Sequence, residues 1–410
     1  MRLLPAVRPA AVVAGAVVAV AILSACGSPP DPKIKSDALT VYTSLPLSGE
    51  RGPEGRAVLR GEKIALEDAG ARVGQFTVAL DAIDDADPER GTWSPDQAAQ
   101  NARQAAGNGT TIAYIGDLDS GATAVSLPVN NELGILQVSP LSGYTGLTRV
   151  LDKGEPQKYY PADTRTFARL VPTGAVEARA LARWLDGLGL RRVVVAQDGL
   201  DDGQGGLIDL SDAFDAQRIE LVKAVRVDPR PGHDLDGDVA DLVKQKADAL
   251  VYAGGDSEAA ARLLRAVHAA AARLPLFVTS SSTHGDLAAR LGRAAGAVRG
   301  VSPLVGLPDD AASRAFARRY RAAFGADPPP AARYGYEAMR TVIAAIGRAG
   351  ESAKDRRSVI RAYLGTRERG TVIGDYRIDS SGDVDRTEVG GFRIAGGELR
   401  LDRRLDGGVG

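Results

Sequence analysis

The chain is organised by an alternation in which apolar runs of strand length are separated by stretches of helical period. LTVYTSLPL (39–47) precedes a helix-like run over 61–69, FTVALDAID (76–84) precedes 97–106, and TIAYIGD (111–117) precedes 122–133, after which GILQVSP (134–140) follows. Strands that are apolar throughout, with helices between them, belong to a mostly parallel sheet covered on both faces. The same units resume after residue 174. A helix over 176–188 leads into RRVVVAQ (191–197), IELVKAVRV (219–227), DALVYAGG (248–255) and LPLFVTSS (274–281), and Leu263, Val267 and Ala270 share one face of an intervening helix. Two more amphipathic helices, 311–324 and 334–346, flank the break ADPPP, and 375–384 and 389–401 read as short strands with glycine turns. The expected fold is α/β: two Rossmann-like lobes with parallel-dominated sheets.

The chain begins MRLLPAVRPAAVVAGAVVAVAILSACGSPP, in which Arg2 and Arg8 precede an apolar run over 10–23. That run is short for a membrane span and has the order of a secretory signal. Its boundary, LSACG, resembles the lipobox of bacterial lipoproteins, in which Cys26 becomes the lipidated first residue. The alternative is an ordinary signal peptide with an incidental cysteine. The expectation is a signal peptide over 1–25, a lipidated Cys26 with a flexible tether over 26–37, and a protein anchored on the outer face of the cell membrane. Cys26 is the only cysteine, so no disulfide framework is available.

About 370 residues follow the tether, too many for one hydrophobic core. With 51 basic against 52 acidic residues and aromatics at 5%, nothing points to a nucleic-acid partner. Ligands in open parallel sheets lie beyond the carboxyl ends of the strands. Two stretches end strands with Gly, Ser, Thr and Asp, IGDLDSGAT (115–123) and VSPLSGYTGLT (138–148), and their amides suit an anionic group at a helix N-terminus.

Catalysis has no motif behind it: the sequence lacks a G-x-S-x-G elbow, a phosphate loop, a complete G-x-G-x-x-G, an H-E-x-x-H and a Cys pair. His233, His268 and His284 have no neighbours at metal-ligand spacing; His268, on a helix, reads as a surface or packing residue, whereas His284, after a strand end, can reach the cleft. DDGQGG (201–206) lacks the alternating oxygen ligands of an EF-hand and reads as the turn after RRVVVAQ. No catalytic group, metal or cofactor is expected.

YTSLPLSGERGPEGRAVLRGEKIALEDAG, IAYIGDLDSGATAVSLPVNNELGILQVSPLSGYTGLT, YPADTRTFARLVPTG, ADALVYAGGDSEAAARLLRAV and ARYGYEAMRTVIAAI together resemble the type I periplasmic binding proteins of ABC transporters, the leucine/isoleucine/valine-binding family. The likeness lies in the order of the stretches and covers nearly all of the chain after the tether. It implies a three-segment hinge between lobe 1 (38–172 plus 302–372) and lobe 2 (173–301 plus 373–410), closing on a small ligand that is delivered to a permease by a monomeric protein without a cofactor. A ligand-sensing subunit for a membrane receptor or kinase, and a degenerate scaffold without transport, are the alternatives.

The resemblance also implies site residues. An amino-acid carboxylate would lie on the loops DLDSGAT and SPLSGYT, at Asp119, Ser120, Gly121, Ser142, Gly143 and Tyr144, with Gly143 where a threonine is usual. Elsewhere the wall departs from the family: Glu54 and Asp256 stand at aromatic positions, Asp202 at a tyrosine, and Ser281 at the acidic residue that meets a ligand ammonium. The expected pocket is more polar and acidic than an aliphatic amino-acid site, with Asp256 facing a cationic end. For Asp202 and Asp256 the alternative is a solvated turn or a helix cap.

Overall fold

The computed structural model describes residues 33–88, 91–199, 201–228, 230, 232–284 and 287–409. The leader, Cys26 and most of the tether lie outside the described residues. The first half of the chain forms β1 (Ala38–Leu45), α1 (Gly52–Asp68), β2 (Arg72–Val73), β3 (Phe76–Asp84), α2 (Pro95–Gly107), β4 (Thr111–Ile115), α3 (Ser120–Glu132), β5 (Leu136–Ser139) and β6 (Phe167–Arg169). Their sheet has the order β2-β3-β1-β4-β5-β6 and is parallel except at the β2 edge. Helix α1 starts well before the expected residue 61, because Pro53 in its first turn presets a helical φ.

The chain continues through α4 (Gly174–Gly187), β7 (Arg192–Gln197), α5 (Asp201–Gln217), β8 (Glu220–Arg226), α6 (Asp236–Val243), β9 (Ala249–Tyr252), α7 (Ser257–Ala270), β10 (Leu276–Val278), α8 (Leu287–Arg290) and β11 (Val298–Ser302). After α9 (Ala311–Phe324), α10 (Pro330–Ala349), α11 (Arg356–Tyr363) and the small pair β12 (Arg367–Glu368) and β13 (Tyr376–Arg377), it ends in the hairpin β14 (Glu388–Ala395) and β15 (Glu398–Asp406). The hairpin turns on Gly396 and Gly397, whose φ values of +63° and +78° are those of a tight two-residue connection. The second sheet has the order β15-β14-β11-β10-β9-β7-β8, parallel from β11 to β8 and antiparallel in the hairpin.

Burial on both faces explains the apolar runs. Val193 and Val195 of β7 join Ala249 and Val251 of β9 in one cluster with Trp184 and Phe277, whose rings meet edge-on at 5.5 Å. The alternate residues Val194, Ala196, Leu250 and Tyr252 enter the cluster on the opposite face. Phe316, Tyr320, Tyr334 and Met339 of α9 and α10 pack instead into the core of the first sheet. The chain therefore passes between the sheets three times, over 170–173, 303–310 and 378–387.

One local expectation is corrected. DDGQGG is the opening of α5 and not a turn, and its glycines serve packing: a Cβ on Gly203 would lie 2.5 Å from Asp198 Oδ1, and one on Gly205 2.2 Å from the Tyr144 ring. Among the described residues no helix is long and apolar enough to cross a membrane.

Helices α1 and α10 approach until their backbones touch, for a Cβ on Gly61 would lie 2.0 Å from Ala332 O and one on Gly335 2.1 Å from Val58 O. Neither clash can be relieved by rotating a side chain, so Gly335→Ala is expected to lose about 1–3 kcal/mol or more. Its urea midpoint should fall at an unchanged slope, and an unchanged midpoint would contradict the backbone contact.

Candidate functional site

A cavity of about 100 Å³ opens where the carboxyl ends of both sets of strands meet. From the first sheet come Arg51 and Glu54 at the start of α1, Asp119 and Ser120 at the start of α3, and Gly143 and Tyr144 after β5. From the second come Gly206 and Asp209 of α5, and Thr279, Ser281 and His284 after β10. Gly174 and Glu177 of α4, just after the first crossing, and Ser302 to Leu304, at the end of β11 and in the second crossing, also border it.

The two glycine- and serine-rich stretches do meet, but most of their polar side chains bind one another. The Asp117 carbonyl accepts from Ser139 Oγ (2.6 Å) and Ser142 Oγ (3.1 Å), and the Thr123 and Ser142 hydroxyls lie 2.6 Å apart. Ser120 Oγ accepts from the Tyr144 amide at 3.3 Å. Ser142 is fully buried behind the wall, and Gly121 packs on Trp93, whose ring would be 2.3 Å from a Cβ there. Neither lines the cavity. Beneath the floor, burial pushes the Asp117 carboxyl up to about 6, against the opposing hydrogen bonds of Ser126, Ser44 and Tyr114.

Other expected contacts divide. Glu54 lines the cavity, yet its Oε2 accepts from Arg51 Nη2 and Nε at 2.6 and 2.9 Å, while Arg51 Nη1 donates to Asp119 Oδ1. Burial would lower the Arg51 pKa, but Asp119 and Glu54 raise it, so this guanidinium is a fixed cation. Tyr144 contributes to the wall, and its hydroxyl donates to Glu155 Oε1 at 2.8 Å. Ser281 is in the wall, its hydroxyl 2.9 Å from that of Thr279. Asp256 does not line the cavity: it is the N-cap of α7, where Oδ1 accepts from the Ala259 amide at 2.8 Å. The helix-cap alternative describes its placement. Asp202 lies in the first turn of α5, and its side chain is outside the described residues.

Arg51 and Asp209 are wall residues that the sequence reading did not single out. Asp209 is 6% exposed, and its Oδ2 accepts from Thr145 Oγ1 at 2.8 Å across the cleft. Its only sequence signal is a polar residue on the otherwise apolar face of Leu210 and Ala213, a pattern visible only once α5 is known to begin at Asp201. Burial, reinforced by Asp212 and opposed by Thr145, Arg179 and Arg169, pushes the Asp209 carboxyl up to about 7. Among the described residues no group of three or more His, Cys, Asp or Glu side chains is arranged to hold a metal ion.

The Asp209 shift fixes the sign of a pH effect. The folded chain holds this proton more tightly than the unfolded chain, so stability is lost as pH rises from about 4 to about 7. Ionising the group in the fold costs on the order of 4 kcal/mol above that window. Asp209→Asn, which can still accept from Thr145, should be more stable than the parent at pH 8 and close to it at pH 4. Urea unfolding at both values checks this, and a gap that did not widen with pH would contradict the burial of the charge.

A periodic core and a cleft of this kind have many counterparts. A leucine-binding protein LivK from Thermotoga maritima is similar at 21% identity and a TM-score of 0.76, over 90% of this chain and 99% of that one. A solute-binding protein of an ABC transporter from R. palustris, solved in complex with benzoate, is similar at 20% identity and 0.72, over 90% and 96%. LivJ from Streptococcus pneumoniae, in complex with isoleucine, is similar at 17% identity and 0.72, over 90% and 99%. No curated protein matches the sequence. These likenesses show the type I periplasmic binding fold. A family model described as periplasmic binding protein matches residues 43–387, and with most of its length so matched the chain belongs to the periplasmic binding protein family.

Proposed function

We propose that this chain is an extracytoplasmic solute-binding lipoprotein, anchored through Cys26, that captures a small polar molecule and delivers it to the permease of an ABC transporter. The observation that carries the reading is the make-up of the cavity wall, which takes residues from loops of both sheets, from the crossing over 303–310 and from the start of α4 directly after the crossing over 170–173. A motion about those crossings opens and closes such a cavity, which is how hinged binding proteins admit and enclose a ligand. Contacts across the cleft support this: Ser257 Oγ donates to Glu50 Oε1 at 2.7 Å, and Thr145 donates to Asp209. Family membership supports an extracytoplasmic, binding role. The anchor rests on the LSACG boundary alone. A polar ligand, an amino acid, amide or related compound, suits a wall with one guanidinium, Arg51, against four carboxylates, Glu54, Asp119, Glu177 and Asp209.

Two experiments test the reading. A thermal-shift screen of amino acids, amides, amines and aromatic acids should yield a hit that, at about 100 times its Kd, stabilises the protein by about 2.7 kcal/mol. Small-angle scattering with that hit should give a smaller radius of gyration. No shift and no contraction across the panel would favour a rigid scaffold. Cys26→Ala should release the protein from the membrane or leave an uncleaved precursor, and a mature chain starting at another residue would remove the anchor from the proposal.

A further inference from the structure

The wall of the cavity contains two acceptors that no group among the described residues satisfies. Asp209 is nine-tenths buried; Thr145 Oγ1 occupies its Oδ2, and nothing among the described residues donates to its Oδ1. No Lys or Arg among the described residues is paired with it. The nearby Arg169 is bound to Asp383, and Arg179 Nε donates to Gly407 O at 2.6 Å. Asp209 cannot withdraw easily, because Gly174 packs so closely that a Cβ there would lie 2.7 Å from Oδ2. The second acceptor is His284. Its Nε2 lies 2.6 Å from Gly255 O, and since a carbonyl only accepts, that nitrogen carries the hydrogen. In the neutral ring Nδ1 is then an acceptor, and it is buried without a partner. Both residues belong to the second-sheet side of the same cavity.

On the opposite side, the charge of the one guanidinium in the wall is already paired. Arg51 gives three of its five N–H bonds, from Nε, Nη1 and Nη2, to Glu54 and Asp119. A ligand carboxylate would therefore meet neutralised charge on one wall and bare acceptors on the other. An apolar ligand would leave both acceptors buried and unpaired, each costing about 1–3 kcal/mol or more. A cationic ligand with several N–H bonds carries donors for both.

From this we infer that the solute is a net-cationic amine or guanidine whose N–H groups donate to Asp209 Oδ1 and His284 Nδ1. The inference rests on the capture reading above and names the ligand class for the same cavity. It gives Asp209 the role of charge selector. Asp256, as an N-cap outside the wall, has no part in it.

The test is calorimetric titration of the full chain with four probes: putrescine, a dication; and three six-carbon probes, L-lysine, a monocation; L-norleucine, a zwitterion; and hexanoate, an anion. At least one cationic probe should bind about tenfold or more tightly than norleucine, with hexanoate weakest. Asp209→Asn should abolish that order by weakening the cations about tenfold or more. His284→Leu, which leaves the carboxylate in place, should weaken the cations while keeping the order of charge; both variants are checked for a parent-like unfolding transition. Norleucine, hexanoate or a benzoate binding as tightly as the cations would overturn the inference and leave solute capture intact. The same holds for a cation preference that survives Asp209→Asn in a folded variant. Binding of nothing, in the four probes and in the wider screen, would overturn both.

Discussion

The buried guanidinium of Arg169, at the end of β6, holds the site to the frame. Its Nη1 donates to the carbonyls of Ser142 (3.0 Å) and Tyr144 (2.8 Å), Nη2 donates to Thr148 Oγ1 (2.9 Å), and Nε lies 3.0 Å from Asp383 Oδ1. Asp383 sits in the third crossing, where Arg149 Nε binds its other oxygen at 2.7 Å. One charge thus joins the first crossing, the third crossing and the loop that supplies Gly143 and Tyr144 to the cavity. Burial alone would raise the Asp383 carboxyl, but Arg169, Thr148 and Arg149 hold it below the usual range. A buried ion costs several kcal/mol unless its partners stay in place, so none of these segments can shift alone.

The same rule, applied to two carboxylate settings in the cavity, gives opposite results. Around Arg51, two acids and one base close on each other, and the charge is used up in holding the start of α1 against the start of α3. Around Asp209 nothing comparable is found among the described residues, where a hydroxyl is the sole hydrogen-bond donor. A buried carboxyl left in this state lowers stability at neutral pH, a cost that an amide in its place would not carry. A ligand that supplies the missing charge offsets that cost.

The fold was largely legible because strands buried on both faces must be apolar throughout, as VVVA in β7 and LVY in β9 are, and because the break ADPPP separates the helices α9 and α10. The site was legible in location but not in detail. Ser142 and Thr123 are the residue types that grip ligands, and they are equally suited to gripping a neighbouring loop; sequence does not tell the two apart, and here they grip each other. DDGQGG misled because glycine serves turns and close packing alike, and at Gly205 the Tyr144 ring demands the second. Asp209 was missed for that reason: with the start of α5 read as a turn, its orientation toward the cleft could not be counted.

Asp209 also lies where binding and closure meet. Thr145, its donor, follows directly on the loop that Arg169 fixes, and its hydroxyl accepts from the Ala175 amide at 3.0 Å as α4 begins. One turn before Asp209, Gly205 lies against the Tyr144 ring. Any opening that draws α5 from this loop strips Asp209 of its one hydrogen bond and exposes the carboxylate to water, where it ionises at little cost. Closing reverses this, taking the charge out of water with a single hydroxyl as partner. A ligand shifts such an equilibrium only by the difference in its affinity for the two states. On the proposed reading a cationic solute has that difference built in, because its attraction to Asp209 is weak in open water and strong in the closed, poorly hydrated cleft.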